Sequence, residues 1–114
     1  MQIFYNSTFI SKEHLEEAEI NHPVKLEYYK IINEDEMIKG EKAKFGIGVI
    51  KTDYVGDNVK TEKEVIKYLS NDEKQIENIL NVFKKNEVTP IGVKDVITEL
   101  SKQSILNNLQ IAKK

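Results

Sequence analysis

The sequence has no cysteine. That excludes disulfides, thiolate nucleophiles and cysteine zinc sites together, and it suits a reducing compartment. Arginine is absent too, so all 17 basic residues are lysine. Arginine is the planar fork that grips phosphates and guanine edges with two hydrogen bonds, and lysine is the weaker substitute. With a formal net charge of −2 and a pI near 5.7, a bound nucleic acid would need a basic patch set against the overall field. The many lysines, isoleucines and asparagines are what a coding sequence biased toward A and T produces. No apolar run approaches the roughly 20 residues of a membrane span. The opening MQIFYNSTFISKEHLEE lacks a basic start followed by an apolar stretch, so no secretory signal is expected. A cytoplasmic protein with no membrane association is the expectation.

What is present fits one domain over 1–114. Hydrophobic residues are 39% and charged residues 32% of the 114 positions. That balance can bury a core without disulfides or a structural metal. The expected class is α+β: an antiparallel β-meander of about three strands, followed by two helices packed on one face.

The strands are read from period-two patterning. In VKLEYYKII, Val24, Leu26 and Tyr28 alternate with Lys25 and Glu27. In AKFGIGVIK, Phe45, Ile47 and Val49 share one face and Gly46 and Gly48 the other. This glycine face leaves room for something to lie close, with a packed helix the expected occupant. DYVGDN is a turn composition. The alternation of VKTEKEVIKYL is weak and charged, which suits an edge strand. Residues 1–23 read as an extra edge strand and a short helix capped by Ser11, stopped by Pro23. The polar NEDEMIKGEK reads as a long connection.

The helices lie in SNDEKQIENILNVFKKNEVTPIGVKDVITEL. Ser70 and Glu73 have capping-box spacing. Ile76, Ile79, Leu80 and Phe83 follow at helical spacing, and Asn86 is a plausible stop. Thr89-Pro90 restarts the chain. Val93, Val96, Ile97 and Leu100 form the next stripe, and Ile105, Leu106 and Leu109 continue it as a helical tail over 101–114. Lys113 and Lys114 are expected to fray.

Residues 26–100 resemble a family of small uncharacterised proteins of spore-forming clostridia. The resemblance rests on LEYYKII, KFGIGVIK, YLSNDEKQIENIL and NEVTPIGVKDVITE. Members carry Y-G-I-E-V in the second of these segments and N-x-V-x-P-x-x-L-x-D-V-I in the last. Here Phe45 stands for the tyrosine, Gly48 for an acidic residue and Val93 for the leucine. The resemblance implies a small α+β domain and no activity, cofactor or site residue.

No residue pattern specifies chemistry. His14 and His22 are eight apart across a helix end, which is not a ligand spacing, and solvated surface is the better reading even with Glu13, Glu16 and Glu17 nearby. Asp53, Asp57 and Asn58 lack the ligand order and closing glutamate of a calcium loop. Gly40, Gly46 and Gly48 open no phosphate-binding loop. Ser7, Ser11, Ser70, Ser101 and Ser104 sit in no nucleophile elbow. Glu34, Asp35 and Glu36 read as soluble surface. Catalytic, cofactor and metal residues are therefore expected to be none. Tyr28 and Tyr29 must point to opposite faces of one strand. A sheet covered on one side exposes one of them with Ile31 or Ile32, and Tyr28, Tyr29, Ile31 and Ile32 are the candidate partner surface. A protein partner, a second copy, or the N-terminal segment would cover it.

The functional expectation is a non-enzymatic, cytoplasmic protein-binding or regulatory module. One alternative is a DNA-binding regulator using the helix pair, with Lys94, Asp95, Thr98, Glu99 and Lys102 outermost. Lysines and acids nearly balance in that segment, so phosphate attraction would be meagre and nucleic acid is an unfavoured partner. A second alternative is an enzyme with an unrecognised site under the glycine face of 45–50.

Overall fold

Four antiparallel strands in sequence order, not three, form the sheet in the computed structural model, which describes residues 1–34 and 43–102. They are β1 (Gln2–Phe9), β2 (Val24–Ile32), β3 (Phe45–Val55) and β4 (Asn58–Ser70). Helix α1 (Lys12–Glu17) lies between β1 and β2, and α2 (Glu73–Lys85) and α3 (Val93–Lys102) follow the sheet. The α+β meander is as expected. The additional strand is the N-terminal segment, which hydrogen-bonds along β2. The third helix is α1, capped by Ser11, whose Oγ accepts from the His14 N–H at 3.3 Å. The acidic connection with Asp35, Glu36 and Gly40, and the tail with Ile105, Leu106, Leu109, Lys113 and Lys114, lie outside the described residues.

The alternation is only partial in β1 for a physical reason. Phe4 pairs with Tyr29 and Asn6 with Tyr28, so Tyr5 is an extra residue. Such a bulge resets which parity faces which side. A second irregularity separates the pairs Phe45–Ser70 and Ile47–Ile66, where β4 has more residues than β3. At that point a Cβ on Gly46 would stand 2.2 Å from the Ile66 carbonyl oxygen and 2.3 Å from that of Lys67. Glycine is needed there because the β4 backbone occupies the side-chain position. The Asn33 amide, itself buried, donates to the Lys67 carbonyl at 2.8 Å and fixes the bulge.

The core lies between the sheet and the two C-terminal helices. Leu26, Tyr28, Phe45, Ile47, Val49 and Leu69 meet Ile76, Ile79, Leu80 and Phe83 of α2, with Val93, Ile97 and Leu100 of α3 completing the cluster. Helix α2 touches all four strands. The apolar stripes are thus buried against each other and the sheet, as their spacing predicts.

Capping of α2 departs from the expected box. The N-cap is Asp72, whose side chain accepts from the N–H groups of Lys74 and Gln75. Ser70 is the last residue of β4; its Oγ accepts from the Asp72 N–H at 3.0 Å and donates to Gln75 Oε1 at 2.7 Å. An aspartate at the N-cap satisfies the first-turn donors by itself, which leaves Glu73 for Lys30. Asn86 ends α2 as expected. Thr89-Pro90 opens a single 3-10 turn, Pro90–Gly92, before α3 starts at Val93.

Candidate docking face

Alternation along the strands gives the sheet two unlike surfaces. On the inner one, Tyr28 is fully buried. Its ring meets Phe83 edge-on at 6.0 Å, and its hydroxyl donates to the Val88 carbonyl at 2.9 Å. Burial, with the Glu87 carboxylate nearby, pushes this phenol well above its ordinary value. Ile32 also packs against the inner core. Lys30, nearly buried, reaches two α2 carboxylates, Glu73 at 2.6 Å and Glu77 at 3.0 Å. The Glu73 hydrogen bond outweighs desolvation and holds the ammonium pKa above its ordinary value. This pair fastens α2 to β2.

The outer surface carries Tyr29 and Ile31. The register sets one row straight across the sheet: Phe4 of β1, Tyr29 of β2, Gly48 of β3 and Val65 of β4 are successive partners. Phe4 and Tyr29 meet edge-to-face, ring centroids 5.6 Å apart. Phe4 is 52% exposed and Val65 44%. A Cβ on Gly48 would make only ordinary contacts, 3.7 Å to Tyr29 Cβ and 3.8 Å to both Ile31 Cδ1 and Val65 Cγ2. The position is therefore a narrow hollow walled by these three side chains, with Gly48 itself buried at its floor. The neighbouring row is Ser7, Glu27, Ile50 and Lys63, and the next is Phe9, Lys25, Thr52 and Thr61. Lys25 and Glu27 stand 3.9 Å apart, and Phe9 is 55% exposed. Burial, and then Glu27, raise the Tyr29 phenol above its ordinary value.

Of the four residues expected at a partner surface, the structure places Tyr29 and Ile31 outside and Tyr28 and Ile32 inside. Ile31 is almost covered and Tyr29 is half-buried, so Phe4 and Val65 carry most of the exposed apolar surface of that row. The helices lie opposite the glycine face, not on it: Gly46 is filled by β4 backbone and Gly48 lies on the open side. Sequence reasoning missed Phe4, Phe9 and Val65. Phe4 and Phe9 are an odd number of residues apart, so strict alternation puts them on opposite faces, and only the Tyr5 bulge brings them together.

The two histidines are tied down by carboxylates. His14 Nδ1 is 2.7 Å from Glu87 Oε1, which also accepts from the Ser11 N–H at 3.1 Å. This joins the start of α1 to the α2–α3 turn, where Glu87 has a φ of +52°. The hydrogen bond to Glu87 raises the His14 pKa. Burial pushes the Glu87 carboxyl up, but His14 and the Ser11 amide outweigh it and hold the pKa below its ordinary value. His22 Nε2 lies 2.8 Å from Asp53 Oδ1. Asp53 lies in β3 and Asp57 and Asn58 around the β3–β4 turn, with Lys51 as a further neighbour of Asp53 at 3.8 Å. Among the described residues no three histidines or acids converge as a metal site would require. Beside α1 lies an open groove of about 540 Å³, lined by apolar residues such as Phe9, Ile10 and Leu15 and by polar ones such as Lys12, Glu16 and His22. Among the described residues no helix is long and apolar enough to cross a membrane.

Comparison with curated proteins and with solved structures returns no match. Residues 6–103 match a family of unknown function, wider than the 26–100 span of the sequence resemblance. The match covers most of the chain, α1 and all of β2–β4 included, and the protein belongs to this family of unknown function, DUF6514.

Proposed function

We propose that the protein is a small non-enzymatic binding module, regulatory in role and cytoplasmic, that docks a protein on the open face of its sheet. The row Phe4–Tyr29–Gly48–Val65 carries this reading. Antiparallel sheets with one solvated face normally turn polar residues outward. Here the central row is apolar, with Phe4 and Val65 about half exposed. Contiguous apolar patches rimmed by polar groups, as Lys25, Glu27 and Lys63 rim this one, are the usual mark of an interaction site. The sequence adds that no nucleophile elbow or phosphate loop is encoded.

The DNA-binding alternative draws less support. Lys94, the first lysine of α3, is 3.8 Å from Glu64, so an acid shares its surface. A gel shift at low salt, where phosphate attraction is strongest, separates the two readings.

Photo-crosslinking in the native cell tests the proposal. A photoreactive residue at Phe4 or Val65 should yield the same adduct, and a probe at Lys84 or Lys102 should not. The adduct should vanish when Tyr29→Asp is added while circular dichroism stays native. Absence of any adduct, or equal capture from the helix-side probes, would overturn the reading.

A further inference from the structure

We infer that the occupant of the open face is a second copy of this chain, packed sheet to sheet about a two-fold axis. This rests on the docking reading above and names the partner.

The argument is self-complementarity. In a two-fold interface residue i meets residue j and j meets i. The strand order is β1-β2-β3-β4, so the middle of the face lies between β2 and β3. A two-fold axis along the strands at that middle lays β1 over the other copy's β4 and β2 over its β3. Each row then faces itself reversed. Tyr29 of one copy stands over the Gly48 hollow of the other, and Phe4 stands over Val65, twice by symmetry. In this row the large side chains on β1 and β2 meet the small or short ones on β3 and β4, which is what close packing of two faces requires. In the next row Ser7 faces Lys63, and Glu27 lies one strand spacing from the same lysine. That gives the rim two favourable charge pairs across the interface. Like charges do not oppose each other in either row.

Size agrees. Four strands about 4.8 Å apart and about eight residues rising about 3.3 Å each give a face of roughly 19 by 26 Å. Two such faces come to about 1,000 Å², the threshold for a specific but reversible association. The dimer is expected at micromolar concentration.

Sedimentation velocity on the full chain from about 1 µM to about 500 µM brackets that affinity. The protein should pass from monomer to dimer. Gly48→Val fills the hollow and should weaken the dimer about tenfold or more, with the unfolding midpoint held. Lys63→Glu should weaken it several-fold, and adding Glu27→Lys should restore it. Because the chain has no cysteine, register can be read with a thiol-specific bismaleimide that spans the gap of about 10 Å between packed sheets. An equimolar mixture of Phe4→Cys and Val65→Cys should cross-link, and neither alone should. Cross-linking of Phe4→Cys with itself as fast as the mixture would overturn the proposed axis. So would a dimer indifferent to both Gly48→Val and Lys63→Glu. A monomer throughout, whose outer-face probes still capture another protein in the cell, would overturn self-pairing and leave the docking reading standing. A monomer whose probes capture nothing would end both.

Discussion

The two faces of this sheet are built from adjacent residues of the same strands and have opposite fates. Tyr28 is fully buried, fixed by Phe83 and by the Val88 carbonyl. Tyr29, the next residue, meets Phe4 edge-on and lies on the side the helices leave bare. Ile47 is in the core, while Gly46 and Gly48 on either side of it face outward. Stability is concentrated where α2 and α3 pack, because that side removes the most apolar area from water. The outer row contributes little to folding and retains free apolar surface.

Substitutions should separate the two faces, and the largest effects belong inside. Phe83→Ala removes the ring at the centre of the core and should cost about 3–5 kcal/mol by denaturant unfolding. The two outward glycines should differ sharply. Gly46→Ala forces a methyl into the β4 backbone, which cannot yield as a side chain would, and should cost about 2–3 kcal/mol. Gly48→Ala meets only ordinary contacts and should be neutral or slightly stabilising, by up to about 1 kcal/mol. Equal costs at the two positions would mean that the bulge is not where the register places it. Tyr28→Phe leaves the packing but removes the donor to Val88, and should cost about 1–2 kcal/mol. Phe4→Ala, on the outer face, should shift monomer stability by less than about 1 kcal/mol. A larger loss would make the outer row part of the core.

The smallest effect expected is the pH dependence of the His14–Glu87 contact. His14 is raised in the fold, so its contribution is complete below the ordinary imidazole value of 6.5 and fades as pH climbs through the higher folded value. Glu87 is lowered, so its contribution is complete above its ordinary value of 4.5 and fades as pH falls through the lower folded one. The contact is therefore strongest between those two values. Unfolding midpoints of the wild type and His14→Gln should lie farthest apart there and converge toward alkaline pH.

Much of this architecture was legible. Val24, Leu26 and Tyr28 set the inner face of β2 by simple alternation, and Ile76, Ile79, Leu80 and Phe83 set the buried stripe of α2. Two kinds of feature were not. Bulges insert residues without a local signal, so β1 was only partly readable and Phe4 and Phe9 were not assigned to one side. Long-range choices were equally hidden. Ser70-x-x-Glu73 has the spacing of a capping box, yet Ser70 ends β4 and Asp72 caps the helix, while Glu73 pairs with Lys30, distant in sequence. Alternation required one of the adjacent tyrosines to face outward, but which one depended on where the helices packed. The hollow at Gly48 became a feature of the site only once the register set it beside Tyr29 and Val65.

Hydroxyl-radical footprinting compares the two faces most directly, because both carry aromatic rings that report by oxidation. In dilute purified protein Phe4 and Phe9 should label strongly, and Tyr28 and Phe83 hardly at all. In the native cell the labelling of Phe4 and Tyr29 should fall several-fold, while the buried pair stays silent. Unchanged labelling of Phe4 and Tyr29 between the two conditions would contradict an outer face that is occupied in use.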